Sequence, residues 1–456
     1  MQRVVTLIAF SISIAFGQKI QIPPSTRDTL PNGLTIILME YRKVPLADFR
    51  LLVRGGSSED PDSLPGVASI MASLMREGTE TRSSTQISEA IDFIGGSMSV
   101  GAGLDYCAAT MEVMKKDVDT GLELFSDVIL HPAFPNDEID RERKQRLARL
   151  DAIKEEPSAI ASVVFSRKVY GQHPYGRQAM GTKVSLESIR RDDLLAFYRN
   201  TFMPNNAVLV VVGDFNRNEM LEKLKAKFSA WERRERRAAP TARPATLKGK
   251  HVVLVNKPDA TQTQIRVGNI GIDIRNPDYF PLQVANTVFG AGFTSRLVEE
   301  LRVKRSLTYG ASSSFPANLL GGSYVISTFT KNETISETID VVLGEVARFR
   351  EKGATKEEMM KAQNYIAGSF ARSLQSPEAL ASRITDIELY GFPQDHLEKY
   401  IERIRRVQLA DVQRVVREHF YLEDLLMVFV TPANESAAKV QGYGETATIS
   451  LDEAVE

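Results

Sequence analysis

The feature that most constrains this chain is a repeat far longer than any solenoid unit. Asp193-Leu194, Phe202 and Leu209–Val212 recur as Asp411-Val412, Phe420 and Met427–Val430, each 218 positions later. Tyr170-Gly171 and Tyr390-Gly391 open the two copies at nearly the same distance. Solenoid and propeller repeats run about 20–50 residues, so a period this long means a duplicated domain. A chain of 456 residues also exceeds what one hydrophobic core ordinarily holds, and a duplication accounts for the excess.

Within the first copy, strand and helix signals alternate. Leu34–Met39 follows the turn signal Pro31-Asn32-Gly33 and reads as a strand, with Asp48–Val53 as its partner. Ala68–Met75 and Ile87–Ile94 read as helices, the second closed by Gly95-Gly96. Ser97–Met114 is β-type, Asp119–Leu130 an amphipathic helix, and Asp137–Lys154 a long charged helix. Val208–Val212 is an unbroken apolar run of the kind found in buried strands. These signals place one domain at 18–230, a second at 251–435 and a tail at 436–456. The stretch 231–250, rich in charge and alanine and carrying Pro240 and Pro244, reads as a solvated linker; a basic docking patch is the sharper alternative.

Composition narrows the class. Hydrophobic residues at 43% and charged residues at 25% are those of a globular protein. The net charge of −1 gives no electrostatic case for nucleic acid or anionic membranes. Cys107 is the sole cysteine, which excludes an intramolecular disulfide. Arg3, the apolar run Val4–Phe16 and the small residues before Gln18 read as a secretory signal over 1–17, so the mature chain is expected to be exported, periplasmic or secreted, with no membrane attachment after cleavage. A buried first strand or a weak anchor is the alternative for this run.

The stretch Gly66-Val67-Ala68-Ser69-Ile70-Met71-Ala72-Ser73-Leu74-Met75-Arg76-Glu77-Gly78-Thr79 carries the functional question. It resembles the metal-binding helix of the insulinase/pitrilysin metallopeptidases, the inverted zincins, in which His-x-x-Glu-His supplies two zinc ligands and a general base. Ser69 and Ser73 stand at the ligand positions and Ala72 at the base. The family's further ligand, a glutamate about seventy-five residues on, counts to Arg149, a permanent cation. Further markers of the resemblance are Leu30-Pro31-Asn32-Gly33-Leu34, Gly95-Gly96, Pro132-x-Phe134, Ser295-Arg296-Leu297, Leu301-Arg302 and Leu307-x-Tyr309, so that it covers residues 28–435. It implies an α+β fold: two homologous α/β domains, each a mostly antiparallel sheet backed by helices, joined by a linker and facing each other as a clamshell.

As hydrolytic nucleophiles, Ser69 and Ser73 lack a local base, and small residues filling a helix contact is the better reading. The histidines, at 131, 173, 251, 396 and 419, form no pair at ligand spacing. In the second half, Phe289–Leu297 reads as a glycine loop running into a helix capped by Thr294 or Ser295, followed by a strand over Thr308–Phe315. The resemblance implies that Arg302 engages a substrate carbonyl and that Tyr309 donates to the oxyanion of the tetrahedral intermediate. Taken without that frame, Arg302 pairs with Glu299 and Tyr309 is an ordinary strand tyrosine. Gly290 and Gly292, and Ser97 and Ser99 on an edge strand able to add a peptide strand, are the expected substrate-binding positions.

Family members of this length work as pairs. The expectation is therefore a non-catalytic subunit that binds no metal itself and lends Arg302 and Tyr309, in trans, to a zinc-bearing partner cutting extended, unfolded peptides. The alternative is a structural or peptide-binding protein of the same fold with no role in proteolysis.

Overall fold

Six strands of the first half form one sheet: β1 Ser25–Thr29, β2 Thr35–Glu40, β3 Leu46–Arg54, β4 Ser97–Ala102, β5 Tyr106–Met114 and β6 Ala207–Gly213, in the order β1-β2-β6-β3-β5-β4. The computed structural model describes residues 22–237 and 239–455, so the expected leader lies outside the described residues. Six strands of the second half form the other sheet: β7 Lys250–Asn256, β8 Gln262–Ile270, β9 Ala311–Ser314, β10 Ser323–Lys331, β11 Leu425–Thr431 and β12 Glu445–Ile449, ordered β12-β7-β11-β8-β10-β9. Both sheets are mostly antiparallel; β2–β6, β7–β11 and β7–β12 are the parallel pairs.

The repeat is visible in three dimensions. β6 and β11 begin 218 residues apart, and every residue of both is buried. A strand buried on both faces belongs between other strands, and each is internal to its sheet. This corrects the expected pairing of the second and third strands, because β6 inserts between β2 and β3. The duplicated Asp193 and Asp411 have a local reason as well. Each accepts a hydrogen bond from the backbone N–H three residues earlier, at Arg190 and Gln408, capping the helices Arg191–Thr201 and Leu409–His419.

Five helices of the first half position the candidate site and the contacts between the halves: α1 Val67–Leu74, α2 Ser84–Phe93, α3 Val118–Leu130, α4 Asn136–Ile153 and α5 Pro157–Tyr170. Alternation along the strands divides the first sheet into two apolar faces. Ile36, Leu38, Leu209 and Val211 pack with side chains of α1 to α4 in one core. Ile37, Met39, Val208, Val210 and Val212 face the other way and are covered by Leu380, Ala381, Ile384 and Ile387, from the second-half helix Pro377–Tyr390. The second sheet answers in kind. Val253, Val255, Leu426, Val428 and Val430 are covered by Ile160, Val164 and Phe165 of the first-half α5.

Each half thus lends a helix to the other's sheet, and the contiguous boundaries 18–230 and 251–435 do not delimit the packed units. The expected tail is also corrected. Residues 445–449 form edge strand β12, parallel to β7, and fully buried Ala454 joins the core under α5. Among the described residues the linker carries no regular structure from Trp231 to the start of β7, but Asn32 Nδ2 donates to the Trp231 carbonyl at 3.0 Å and Arg236 pairs with Glu59.

Burying a leucine or isoleucine contributes about 1.5–3 kcal/mol, so the two exchanged helices bind the halves into one cooperative unit. Leu380→Ala should cost about 3 kcal/mol. Trp231, the only tryptophan, is buried beside Phe228 in the first half and reports on that half by fluorescence. The substitution, although in the second half, is expected to shift the tryptophan and far-ultraviolet circular dichroism unfolding curves together. Two separated transitions would contradict the exchange as a source of cooperativity.

Candidate functional site

α1 is fixed at both its start and its flanks. Gly66, at φ 95°, turns the chain into the helix, and a Cβ there would lie 2.6 Å from Gly181 Cα. The buried Asp60 carboxylate accepts from Gly66 N at 2.6 Å and Ala68 N at 2.9 Å, satisfying free N–H groups of the first turn. Burial raises the Asp60 pKa to about 7 against the opposing pull of these backbone donors and of Arg177 and Arg146. Val67, Ala68, Ile70, Met71, Ala72 and Leu74 all point into the core, leaving Ser69 and Ser73 one turn apart on the remaining face.

That face is filled by an arginine of α4. Arg146 is buried, and every N–H of its guanidinium has an acceptor. Nε donates to Glu142 Oε1 at 2.7 Å; Nη1 donates to Ser69 Oγ at 3.0 Å and the Met180 carbonyl at 3.2 Å; Nη2 donates to Ser73 Oγ at 2.9 Å and the Ser69 carbonyl at 3.1 Å. Ser73 Oγ in turn donates to the Ser69 carbonyl at 2.9 Å. Five donors are the full complement of the side chain.

Arg149, the residue reached by counting, is exposed on another side of α4. Ile139, Arg146 and Leu150 are the buried residues of that helix, spaced as one helical face, and Arg149 falls off it. Helical periodicity, not distance in sequence, is the signal that points to Arg146.

These residues do not fit zinc. A zinc ion needs imidazole, thiolate or carboxylate donors. Here the two hydroxyls are neutral and already accept from a fixed cation, and Ala72 is a fully buried methyl group. Among the described residues one group of potential ligands lies together elsewhere, Asp278, Glu418 and His419. Arg414 grips both Asp278 oxygens, at 2.5 and 3.1 Å, and His419 Nε2 lies 2.9 Å from Oδ2, so the group is an internal ion-pair network.

The second-half positions behave differently. Arg302 sits in a π-helical turn, Glu299–Lys304, and is exposed. Its guanidinium lies 5.2 Å from the Phe293 ring centre, and among the described residues no carboxylate pairs with it, Glu299 included. Tyr309 is 81% exposed. It precedes β9, which is shorter than the expected strand because the Thr308 hydroxyl folds a local turn onto Gly310 N at 3.1 Å. Ser295 stands at the helix start, yet its buried hydroxyl makes no cap.

Gly290 has a packing reason, since a Cβ would come within 2.3 Å of Ser313 Oγ, whereas Gly292 lines an open groove. Ser97 and Ser99 are exposed on β4, which is an edge strand as expected. Arg76 Nη1 already occupies the Met98 carbonyl at 2.8 Å, and Ser99 Oγ bonds Thr110 Oγ1 at 2.8 Å. Among the described residues no hydrogen bond or ion pair joins the Ser69–Arg146 cluster to Arg302 or Tyr309. Lys361 and Tyr365, which belong to no motif, line the same groove as Gly292 from another helix and were not among the expected positions.

Residues 36–183 match the profile of the insulinase peptidases (peptidase family M16), and residues 188–366 match that of the peptidase M16 inactive domain. The chain belongs to the M16 family. It is 25% identical over 396 residues to an uncharacterized zinc protease of Streptomyces coelicolor, covering 86% of each chain. It is 24% identical over 402 residues to a non-peptidase homolog of Helicobacter pylori, covering 87% of this chain and 91% of that one. A crystal structure of a peptidase M16 inactive domain from Pseudomonas fluorescens superposes with a TM-score of 0.84 at 26% identity, over 90% of this chain and 98% of that one. Within the M16 fold this chain therefore carries a guanidinium between α1 and α4, with no metal-ligand set there.

Removing Arg146 leaves two serine hydroxyls, two carbonyls and Glu142 without their donor. Arg146→Ala should destabilise the chain by about 2–4 kcal/mol, the lower end reflecting the part exposure of Glu142. Arg149→Ala should stay within about 0.5 kcal/mol of the parent. Equal effects in urea unfolding would show that the guanidinium of Arg146 is not the linchpin of this helix pair.

Proposed function

We propose that this chain is a non-catalytic M16 subunit that works beside a zinc-bearing M16 partner on extended, unfolded peptides. The observation that carries the reading is the contrast between its two candidate sites. Where a catalytic M16 helix would hold metal, Arg146 is buried and fully bonded to Ser69 and Ser73. By contrast, Arg302 and Tyr309 are exposed polar groups, and no carboxylate among the described residues holds Arg302. An exposed cation and an exposed phenol seven residues apart suit a peptide carbonyl and the negative charge that develops on it during hydrolysis. The zinc chemistry belongs to the partner; this chain binds no metal, and its share is to orient the peptide and stabilise the oxyanion.

Export is part of this reading and rests on residues 3–17. None of the described helices is long and apolar enough to cross a membrane. The periplasmic protease PqqL of Escherichia coli shares the fold, with a TM-score of 0.75 at 16% identity over 91% of this chain and 48% of that one.

The test is reconstitution with an M16 subunit carrying His-x-x-Glu-His, assayed on an unfolded peptide. Losing one oxyanion donor costs about a hundredfold or more in turnover, so Arg302→Ala with Tyr309→Phe should abolish the stimulation given by the parent chain. Stimulation that survives both substitutions would leave only a structural or peptide-binding role.

A further inference from the structure

Beside the Arg302 turn runs an apolar groove. It has a volume of about 270 Å³ and lies between the π-helical turn Thr287–Ala291 and the helix Lys356–Arg372. Val288, Phe293, Ala362 and Tyr365 give it apolar walls, with Gly292 and Lys361 at its rim. Sites that enclose a drug-sized ligand start at about 300 Å³, so this groove suits one large side chain and not a cofactor.

Two features show that the groove is open toward a ligand. Phe293 is 77% exposed and Tyr365 55%, although both rings would gain by burial. Their cost in water is recovered when something apolar lies between them. The charge at the rim is one-sided. Glu358, the only carboxylate lining the groove, is held by Arg296 through both oxygens at 2.7 Å. Lys361 has no carboxylate partner among the described residues, and Arg302, which is not among the residues lining the groove, lies over the Phe293 ring.

We propose that this groove binds an aromatic or large aliphatic side chain of an extended peptide, with an acidic residue next to it in the peptide paired to Lys361. The proposal rests on the reading of the chain as a peptide-handling subunit and adds its preference: acidic–apolar pairs. Arg302, which is not a lining residue of the groove, remains free for the backbone carbonyl. The groove thereby sets which segment of an unfolded chain is presented, a property distinct from oxyanion stabilisation.

The test uses the isolated full chain and fluorescence anisotropy, with no partner and no cleavage. Three fluorescein-labelled decapeptides share a glycine–serine background and carry a central Asp-Phe, Lys-Phe or Asp-Ala. Asp-Phe is expected to bind at least tenfold more tightly than either of the others. Tyr365→Ala should weaken Asp-Phe binding about tenfold, and Lys361→Glu should reverse the preference between Asp-Phe and Lys-Phe. Both side chains are exposed, and circular dichroism of each variant confirms the fold. Equal affinity for Asp-Phe and Asp-Ala, or a Lys361→Glu chain that still prefers Asp-Phe, overturns the proposal. Selective binding together with cleavage that is indifferent to Arg302 and Tyr309 would retain the groove and remove the trans-acting role; the reverse pattern removes the groove alone.

Discussion

The exchange of helices between the halves is the constraint on which the remainder of the structure rests. Each sheet has two apolar faces, and helices of its own half cover only one of them. The second face of the first sheet needs Leu380, Ile384 and Ile387, and the second face of the other sheet needs Ile160, Val164 and Phe165. Neither half can dehydrate both faces of its sheet alone, so the relative position of the halves is fixed by the same burial that forms each one. A duplicated domain that exchanges one helix per copy becomes a single object, with its two candidate sites on a common frame.

Within that frame the contact between α1 and α4 is a built polar cluster. Losing two ligands would leave a buried polar cleft between α1 and α4, which costs free energy unless its groups find partners. Arg146 supplies them: one planar cation satisfies two hydroxyls, two carbonyls and Glu142. The fixed positive charge then disfavours a divalent cation at the same place. One side chain thus satisfies the polar groups between the two helices and fixes a positive charge there. The second half, with Arg302 exposed over Phe293 and Tyr309 exposed just before β9, shows no comparable repair.

Much of the fold was legible because it is local. β6 announced itself as an unbroken apolar run, α4 as a long charged helix, and the duplication as a constant spacing. What escaped was tertiary. The apolar faces of α5 and of Pro377–Tyr390 say that something must cover them, but periodicity does not say which sheet. β6 inserts between β2 and β3 because the sheet centre is the driest position, and neither of those strands encodes that insertion. At the site, Ser69, Ala72 and Ser73 were identified from one helix, where spacing is fixed at i and i+4. The residue facing them, Arg146, lies on a second helix far along the chain, one turn from Arg149, the position that counting reached. Lys361 and Tyr365 carry no motif, and only packing brings them to Gly292 and Phe293.

The α1–α4 contact of this chain holds a guanidinium, and the proposed role as a subunit without its own metal turns on that observation. The most direct test is the zinc content of the purified full chain after equilibration with zinc sulfate and removal of free ion by gel filtration, read by atomic emission. Only traces of zinc per chain are predicted. Zinc retained in a one-to-one ratio, and lost on substitution of Ser69 and Ser73 by alanine, would contradict the assignment.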